Sequence, residues 1–197
     1  RARNNEFAKL DVLEQGIKEA HERNKKFFLT VNTLPHNSKL KTFVADMEPL
    51  IAMKPDALIM ADPGLIMTVR EKWPEMPIHL SVQANTTNYW GVKFWQNIGV
   101  ERIILSRELS MEEIAEIRQE CPDIELEVFI HGALCIAYSG RCLLSGYFNH
   151  RDPNQGTCTN SCRWDYKVHN ATESDAGDAQ LLQGFNFEKA QEEANQN

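Results

Sequence analysis

The stretch "PDALIMADPGLIM", residues 55–67, contains one complete unit of the fold that this sequence predicts. Its middle, Ala57–Ala61, is a short apolar run of the kind that forms a buried strand. Asp62 and Pro63 follow directly and signal the start of a helix, because aspartate caps a helix and proline fits its first position. The stretch therefore predicts a β-strand that leads straight into an α-helix.

The same strand-then-helix pattern recurs along the chain, which predicts a parallel sheet. The predicted strands are residues 27–32, 57–61, 78–85, 102–106 and 125–131. Two topologies fit this order, a doubly wound open sheet and part of a (β/α) barrel. The strands favour the barrel, because Ile78 and Leu80 alternate with His79 and Ser81. One polar face is typical of a barrel interior, whereas a sheet covered on both faces is apolar on both.

The chain is short for a complete barrel, which needs eight strands and about 250 residues. It also opens on a helical pattern with no strand and no initiator methionine before it. We therefore expect an α/β fold, an incomplete TIM-like (β/α) barrel cut at both ends and followed by a cysteine-rich segment. The predicted boundaries are residues 1–134 for the partial barrel, 135–168 for the Cys-rich segment and 169–197 for a polar linker or tail.

Composition narrows the classes of function. Lysine and arginine number 21 against 28 acidic residues, and the resulting net charge of −7 lacks the basic footprint of most nucleic-acid-binding proteins. No apolar run is long enough to span a membrane, and no signal peptide is visible. These features predict a cytoplasmic protein without a membrane partner, in a compartment where thiols stay reduced.

Four of the five cysteines are clustered, with the spacing Cys135-x6-Cys142-x15-Cys158-x3-Cys162. Reduced cysteines grouped in this way indicate a metal site or catalysis rather than disulfides. Four thiolates bind either an iron–sulfur cluster or zinc, and the wide first gap favours iron–sulfur. A cysteine nucleophile with His131 as its base is the alternative, but it leaves three cysteines unexplained. Cys121 stands apart and is interpreted as a small core residue.

In a barrel, catalytic residues lie where strands end. The predicted catalytic residues at these ends are Asp62, Gln83, Arg107 and His131. Three of them also have a structural explanation: Asp62 as a helix cap, Arg107 in an ion pair with Glu108, and His131 as an ordinary hydrogen-bonded histidine.

The Cys-rich segment is locally basic. Arg141, Arg151 and Arg163 lie there among tyrosines, a phenylalanine and a tryptophan. Arginine together with aromatic rings is typical of single-stranded RNA binding, so these three arginines are candidate RNA contacts. The alternative is that the aromatic rings pack around the bound metal.

Two stretches carry a resemblance to a known family: "EVFIHGALCIAYSGRCLLSG", residues 127–146, and "RDPNQGTCTNSCRWDY", residues 151–166. They resemble the signature of the peptidase U32 family, the collagenase-like proteases, and in particular a branch that modifies tRNA. The matching positions of the first stretch are Glu127, Phe129, Gly132, Ala133, Cys135, Gly140, Cys142 and Ser145.

The resemblance implies a hydroxylase that converts wobble uridine of tRNA to 5-hydroxyuridine without molecular oxygen. It implies a 4Fe–4S cluster on Cys135, Cys142, Cys158 and Cys162, prephenate as the hydroxyl donor, and tRNA as partner beside an electron donor or partner protein. Two alternatives remain: a U32-type peptidase, and a non-catalytic, zinc-stabilised barrel that binds RNA or protein.

Overall fold

The computed structural model describes residues 7, 9–132 and 134–167, and the backbone of two short strands at 171–173 and 179–181. The chain divides into two compact units, Arg1–Cys162 and Arg163–Asn197. All five cysteines lie in the first unit. Most of the predicted tail, residues 169–197, lies outside the described residues. Within it, β6 (Ala171–Glu173) pairs antiparallel with β7 (Ala179–Leu181).

The first unit is built on a five-stranded parallel sheet in the order β1-β2-β3-β4-β5. Each strand therefore lies beside the next strand in the sequence, as the repeated strand–helix pattern predicts. The strands are β1 Phe28–Val31, β2 Ala57–Met60, β3 Ile78–Leu80, β4 Arg102–Ile104 and β5 Glu125–Glu127. The helices are α1 Leu10–Glu22, α2 Asn37–Ala52, α3 Pro63–Lys72, α4 Tyr89–Asn97, α5 Met111–Glu120 and α6 Leu144–Asn149.

The two faces of the sheet differ in polarity. One face contributes Leu58, Ile78 and Ile103 to a buried core that also contains side chains from α2, α3, α4 and α5. On the other face, His79 of β3 lies beside Arg102 of β4, and Arg102 lies beside Glu125 of β5. The alternation predicted for Ile78–Ser81 is therefore confirmed, and the polar side chains lie opposite the helix-covered face.

Two of the strands, β3 and β5, end at least four residues earlier than predicted. β3 stops at Leu80 instead of Asn85, because the Ser81 hydroxyl accepts the Gln83 N–H at 3.3 Å and starts a 3-10 turn. β5 stops at Glu127, so the prediction of a strand through His131 is wrong. The Leu105 N–H still donates to the Glu127 carbonyl at 2.9 Å, but the next residue, Ser106, donates to Thr86 at 3.1 Å. From Ser106 on, the chain after β4 no longer pairs with β5. Residues 128–131 alternate in sequence, but without a neighbouring chain to pair with they do not form a strand.

The predicted start of α3 is confirmed. The Asp62 carboxylate accepts the Leu65 N–H at 2.9 Å, and Pro63 is the first residue of α3. At the start of α5, Ser110 and Glu113 form a reciprocal capping box. None of the helices in the described part of the chain has the length and hydrophobicity that a membrane span requires.

His79 is the buried titratable group of the polar face, 6% exposed, with its ring edge-on to Phe28 at 4.6 Å between centroids. Burial, reinforced by the charges of Arg102 and Lys26 and opposed by Glu125, lowers its pKa from 6.5 to about 4. The folded chain therefore favours the neutral ring, whereas the unfolded chain binds a proton below its ordinary pKa.

The stability that His79 contributes should be complete above its unfolded pKa and disappear as the pH falls from about 6.5 to about 4. Between about pH 6.5 and pH 4, the free energy of unfolding should fall by about 1–3 kcal/mol less in His79→Gln than in the wild-type chain. Urea unfolding of both proteins at several pH values across this window measures the difference, and the variant serves as the baseline for all other titrating groups. Parallel pH curves for the two proteins would show that His79 does not control this loss.

Candidate functional site at the carboxyl ends of the strands

Arg107, three residues after the end of β4, forms hydrogen bonds to the first half of the Cys-rich segment. The guanidinium donates to the Cys135 carbonyl, to the Ala137 carbonyl at 2.8 Å and to the Ser139 hydroxyl at 3.2 Å. Its side chain is only 10% exposed, and Glu108 lies 4.0 Å away. Arg107 therefore holds the backbone on both sides of Ile136 against the sheet, and the predicted ion pair with Glu108 is present at the limit of contact.

A second contact joins the same segment to the loop after β3. Asn85 donates through Nδ2 to the Ser139 carbonyl at 2.6 Å and to the Gln83 carbonyl at 3.1 Å. Gly140 allows the close approach: its φ is +69°, and a Cβ there would lie 3.2 Å from both the Gln83 oxygen and Leu34 Cδ1. Any other residue at this position would be strained and crowded at once.

The second half of the Cys-rich segment contacts the loop after β1. The Leu34 N–H donates to the Asn154 carbonyl at 3.3 Å, and the Leu34 carbonyl accepts from Gln155 Nε2. Asn154 also donates through Nδ2 to the Cys142 carbonyl at 3.0 Å. The segment is thus attached to the loops that follow β1, β3 and β4, all at the carboxyl edge of the sheet.

A small network of hydroxyl groups lies around Cys158. Ser145 and Ser161 are each 1% exposed, and the Thr159 N–H and hydroxyl lie 3.1 and 3.0 Å from the Ser145 hydroxyl. The Cys158 sulfur accepts the Asn160 N–H at 3.4 Å. The Cys158 thiol also lies 3.9 Å from Asn160 Oδ1, so hydrogen bonds position this sulfur.

The five thiols are all free. Cys135 and Cys162 are exposed, and Cys142 and Cys158 are partly buried. Within the described ranges, no three or more histidine, cysteine, aspartate or glutamate side chains are placed to hold a metal ion. The donor set is that of a four-thiolate site, but its members are not gathered around one point.

Cys121 differs from the other four, as predicted. It is 2% exposed in the core, and its thiol donates to the Tyr89 carbonyl at 3.7 Å. Burial raises the pKa of this thiol. Its environment favours the neutral thiol rather than a metal-binding thiolate.

The four predicted catalytic residues do not share one environment. Arg107 and Gln83 both contact the Cys-rich segment, Gln83 through its backbone. The Asp62 carboxylate is used by its own helix. His131 is exposed and lies past the end of β5 rather than on it. The described contacts therefore bring Arg107 and Gln83 to the Cys-rich segment, but not Asp62 or His131.

Sequence reasoning missed the residues that form the attachments. They are Leu34, Ser139, Asn154 and Gln155. Most contribute a backbone group, which any residue type provides, so residue identity gives no signal. A usable signal was the sequence Asp152-Pro-Asn-Gln-Gly156, which predicts a tight turn and forms one, a 3-10 turn capped by Asp152.

A protein-family model described as peptidase family U32 matches residues 1–195. The chain belongs to peptidase family U32. This confirms the family indicated by the two cysteine-containing stretches. A U32 solved structure, that of the U32 peptidase Mk0906, has the same fold, with a TM-score of 0.59 at 14% identity over 91% of this chain and 72% of that one.

Two curated relatives of this U32 chain are both named tRNA hydroxylation protein P. The one from Haemophilus influenzae is 67% identical over 177 residues, 90% of this chain and 38% of that protein. The one from Escherichia coli is 66% identical over 177 residues, 90% of this chain and 39% of that protein. The chain therefore spans about two fifths of the length of these relatives.

Proposed function

We propose that this U32 chain acts in tRNA hydroxylation, as a component of an enzyme that converts wobble uridine to 5-hydroxyuridine without molecular oxygen. The observation that carries the proposal is the 67% and 66% identity to two tRNA hydroxylation proteins over 90% of the chain. The Cys-rich segment attached at the carboxyl edge of the sheet supports it, because chemistry on a parallel α/β sheet takes place at that edge.

The proposal includes a (β/α) barrel as the complete architecture. The sequential strand order and the one polar face support it, since a barrel has its helices outside and its polar side chains within. In a doubly wound sheet the strand order reverses at a switch point, and these five strands have none.

A 4Fe–4S cluster on Cys135, Cys142, Cys158 and Cys162 is the proposed cofactor, with zinc as the alternative. The free thiols and the N–H bond to Cys158 support a thiolate site. Because the thiols are not gathered, binding requires the Cys-rich segment to close around the metal. A bound cluster would supply electron transfer, prephenate is the proposed hydroxyl donor, and a partner protein is the proposed redox partner.

The proposed RNA-binding surface contains Arg141 and Arg151, both exposed in the first unit. Exposed aromatic rings accompany them: Tyr138 is 59% exposed and Tyr147 is 79% exposed. Exposed rings favour base stacking over the alternative that they pack around the metal. Arg163 is exposed in the second unit.

Proteolysis has less support as the activity. A cysteine protease needs a histidine that hydrogen-bonds the nucleophile. Among the hydrogen bonds described for this chain, none joins Cys135 to His131.

Two measurements test the proposed function. Nucleosides of tRNA from cells that lack the gene should have lost 5-hydroxyuridine, and its restoration by the gene should require the four cysteines. Anaerobic purification should give a brown protein containing iron and sulfide. Normal 5-hydroxyuridine in the deletion strain would contradict the proposal, and a colourless protein with stoichiometric zinc would favour a zinc-stabilised binding protein.

A further inference from the structure

The loops that follow β1 and β3 contain unpartnered polar atoms. Among the described residues, four side-chain atoms are buried without a hydrogen-bond partner: Asn32 Oδ1, Gln83 Oε1, Asn85 Oδ1 and Thr86 Oγ1. All four follow β1 or β3 at the carboxyl edge of the sheet. Buried polar groups are nearly always paired, and leaving one unpaired costs about 1–3 kcal/mol. Their concentration in one place indicates a site that a ligand completes.

The surrounding hydrogen bonds leave the amide oxygens of Asn32 and Asn85 unpaired, whereas the unpaired Thr86 hydroxyl can donate or accept. Asn32 uses its Nδ2 to donate to the Ser81 hydroxyl at 2.9 Å. Ser81 also accepts the Gln83 N–H, which links the loops after β1 and β3. Asn85 uses its Nδ2 for the Ser139 and Gln83 carbonyls. With the amide nitrogens engaged, the amide oxygens of both asparagines are left to accept from something else.

The chemistry of these atoms indicates which hydrogen-bonding groups a ligand would need. Amide oxygens are neutral acceptors, so they bind N–H and O–H donors and repel a carboxylate, which only accepts. The nearby cation, Arg107, already donates to two carbonyls and a hydroxyl of the Cys-rich segment. The site therefore suits a neutral group that carries donors. Uridine does: its ring N3–H and its ribose hydroxyls donate.

We propose that Asn32, Gln83, Asn85 and Thr86 form the binding site for the nucleoside that is modified, and that a carboxylate-bearing hydroxyl donor binds elsewhere. This assignment rests on the proposed function and adds the residues that recognise the uridine. Gln83 is the best probe, because its side-chain oxygen is unpartnered while its backbone makes the contacts that hold the loop.

The test measures binding of a fluorescent anticodon stem-loop RNA to the 197-residue chain. Two RNAs differ only at the wobble position, which carries uridine or 3-methyluridine, where a methyl group replaces the N3–H. The wild-type chain should bind the methylated RNA about tenfold more weakly, the loss of one well-made hydrogen bond. Gln83→Met keeps the side-chain length but removes the acceptor, and should weaken binding of the uridine RNA about tenfold and abolish the discrimination. Gln119→Met, an exposed substitution in α5, is the matched control and should change neither.

Equal binding of the two RNAs by the wild-type chain would overturn the assignment while leaving the proposed function intact, and this comparison does not depend on any variant folding. Undiminished discrimination by Gln83→Met would overturn it equally. Absence of RNA binding, together with normal 5-hydroxyuridine in the deletion strain, would overturn both proposals.

Discussion

Replacement of any one of Cys135, Cys142, Cys158 and Cys162 by alanine is expected to abolish iron binding, while Cys121→Ala retains it. Four thiolates complete the coordination of a 4Fe–4S cluster, so the loss of one exposes an iron to solvent and oxidation. The measurement is iron and acid-labile sulfide per chain, with the visible absorption spectrum, after anaerobic purification. We expect each of the four variants to fall from full loading to near zero.

Cys121→Ala is the matched control, because it removes a thiol from the same unit without touching the Cys-rich segment. Cys121 is 2% exposed in the core, so its replacement should cost about 1 kcal/mol of stability and leave the iron content unchanged. Full iron loading in Cys158→Ala would contradict the four-ligand assignment. Loss of iron in Cys121→Ala with normal folding would show that the grouping by sequence is wrong.

The strands and helices could be predicted because their signals are local. An aspartate before proline starts α3, and a serine followed three residues later by glutamate starts α5, so each boundary depends on neighbouring residues. The ends of β3 and β5 depend on other elements. β5 ends because β4 turns away to Thr86, and nothing between residues 125 and 131 encodes that departure.

The candidate site was predictable in its residue types and not in its contacts. The four cysteines form an obvious set because thiols are rare and clustered. The attachments join positions far apart in the chain: Asn85 and Ser139 are 54 positions apart, and Leu34 and Gln155 are 121 apart. Carbonyl oxygens accept most of these bonds, and a carbonyl has no residue-specific signal. For the same reason, the contacts by which Arg107 holds the backbone around Cys135 could not be predicted, whereas its catalytic role stays a prediction.

Arg107→Met is expected to release the first half of the Cys-rich segment from the sheet. The variant keeps an unbranched apolar stem but loses all three bonds of the guanidinium to Cys135, Ala137 and Ser139. Bonds from a charged donor are worth about 1.5–3 kcal/mol each, and this side chain is only 10% exposed, so solvent cannot replace them freely. Hydrogen exchange of the backbone amides from 136 to 141 should accelerate by about a hundredfold or more, while amides of β2 and β3 keep their protection. Arg107→Lys should be intermediate, because lysine retains the charge but lacks the planar fork.

Arg141→Met is the control for this experiment. Arg141 belongs to the same segment and has the same charge, but it is exposed, and its described side-chain bond goes to the neighbouring Gly140 carbonyl at 3.1 Å. Its replacement should leave exchange unchanged and weaken only RNA binding. Because Arg107 acts on the backbone that carries Cys135, Arg107→Met should also lower iron retention during oxygen-free gel filtration, and Arg107→Lys should partly restore it. Unchanged exchange of residues 136–141 in Arg107→Met would mean that Asn85 is enough to hold the first half of the segment. Retained iron with lost tRNA hydroxylation would support a direct catalytic role for Arg107.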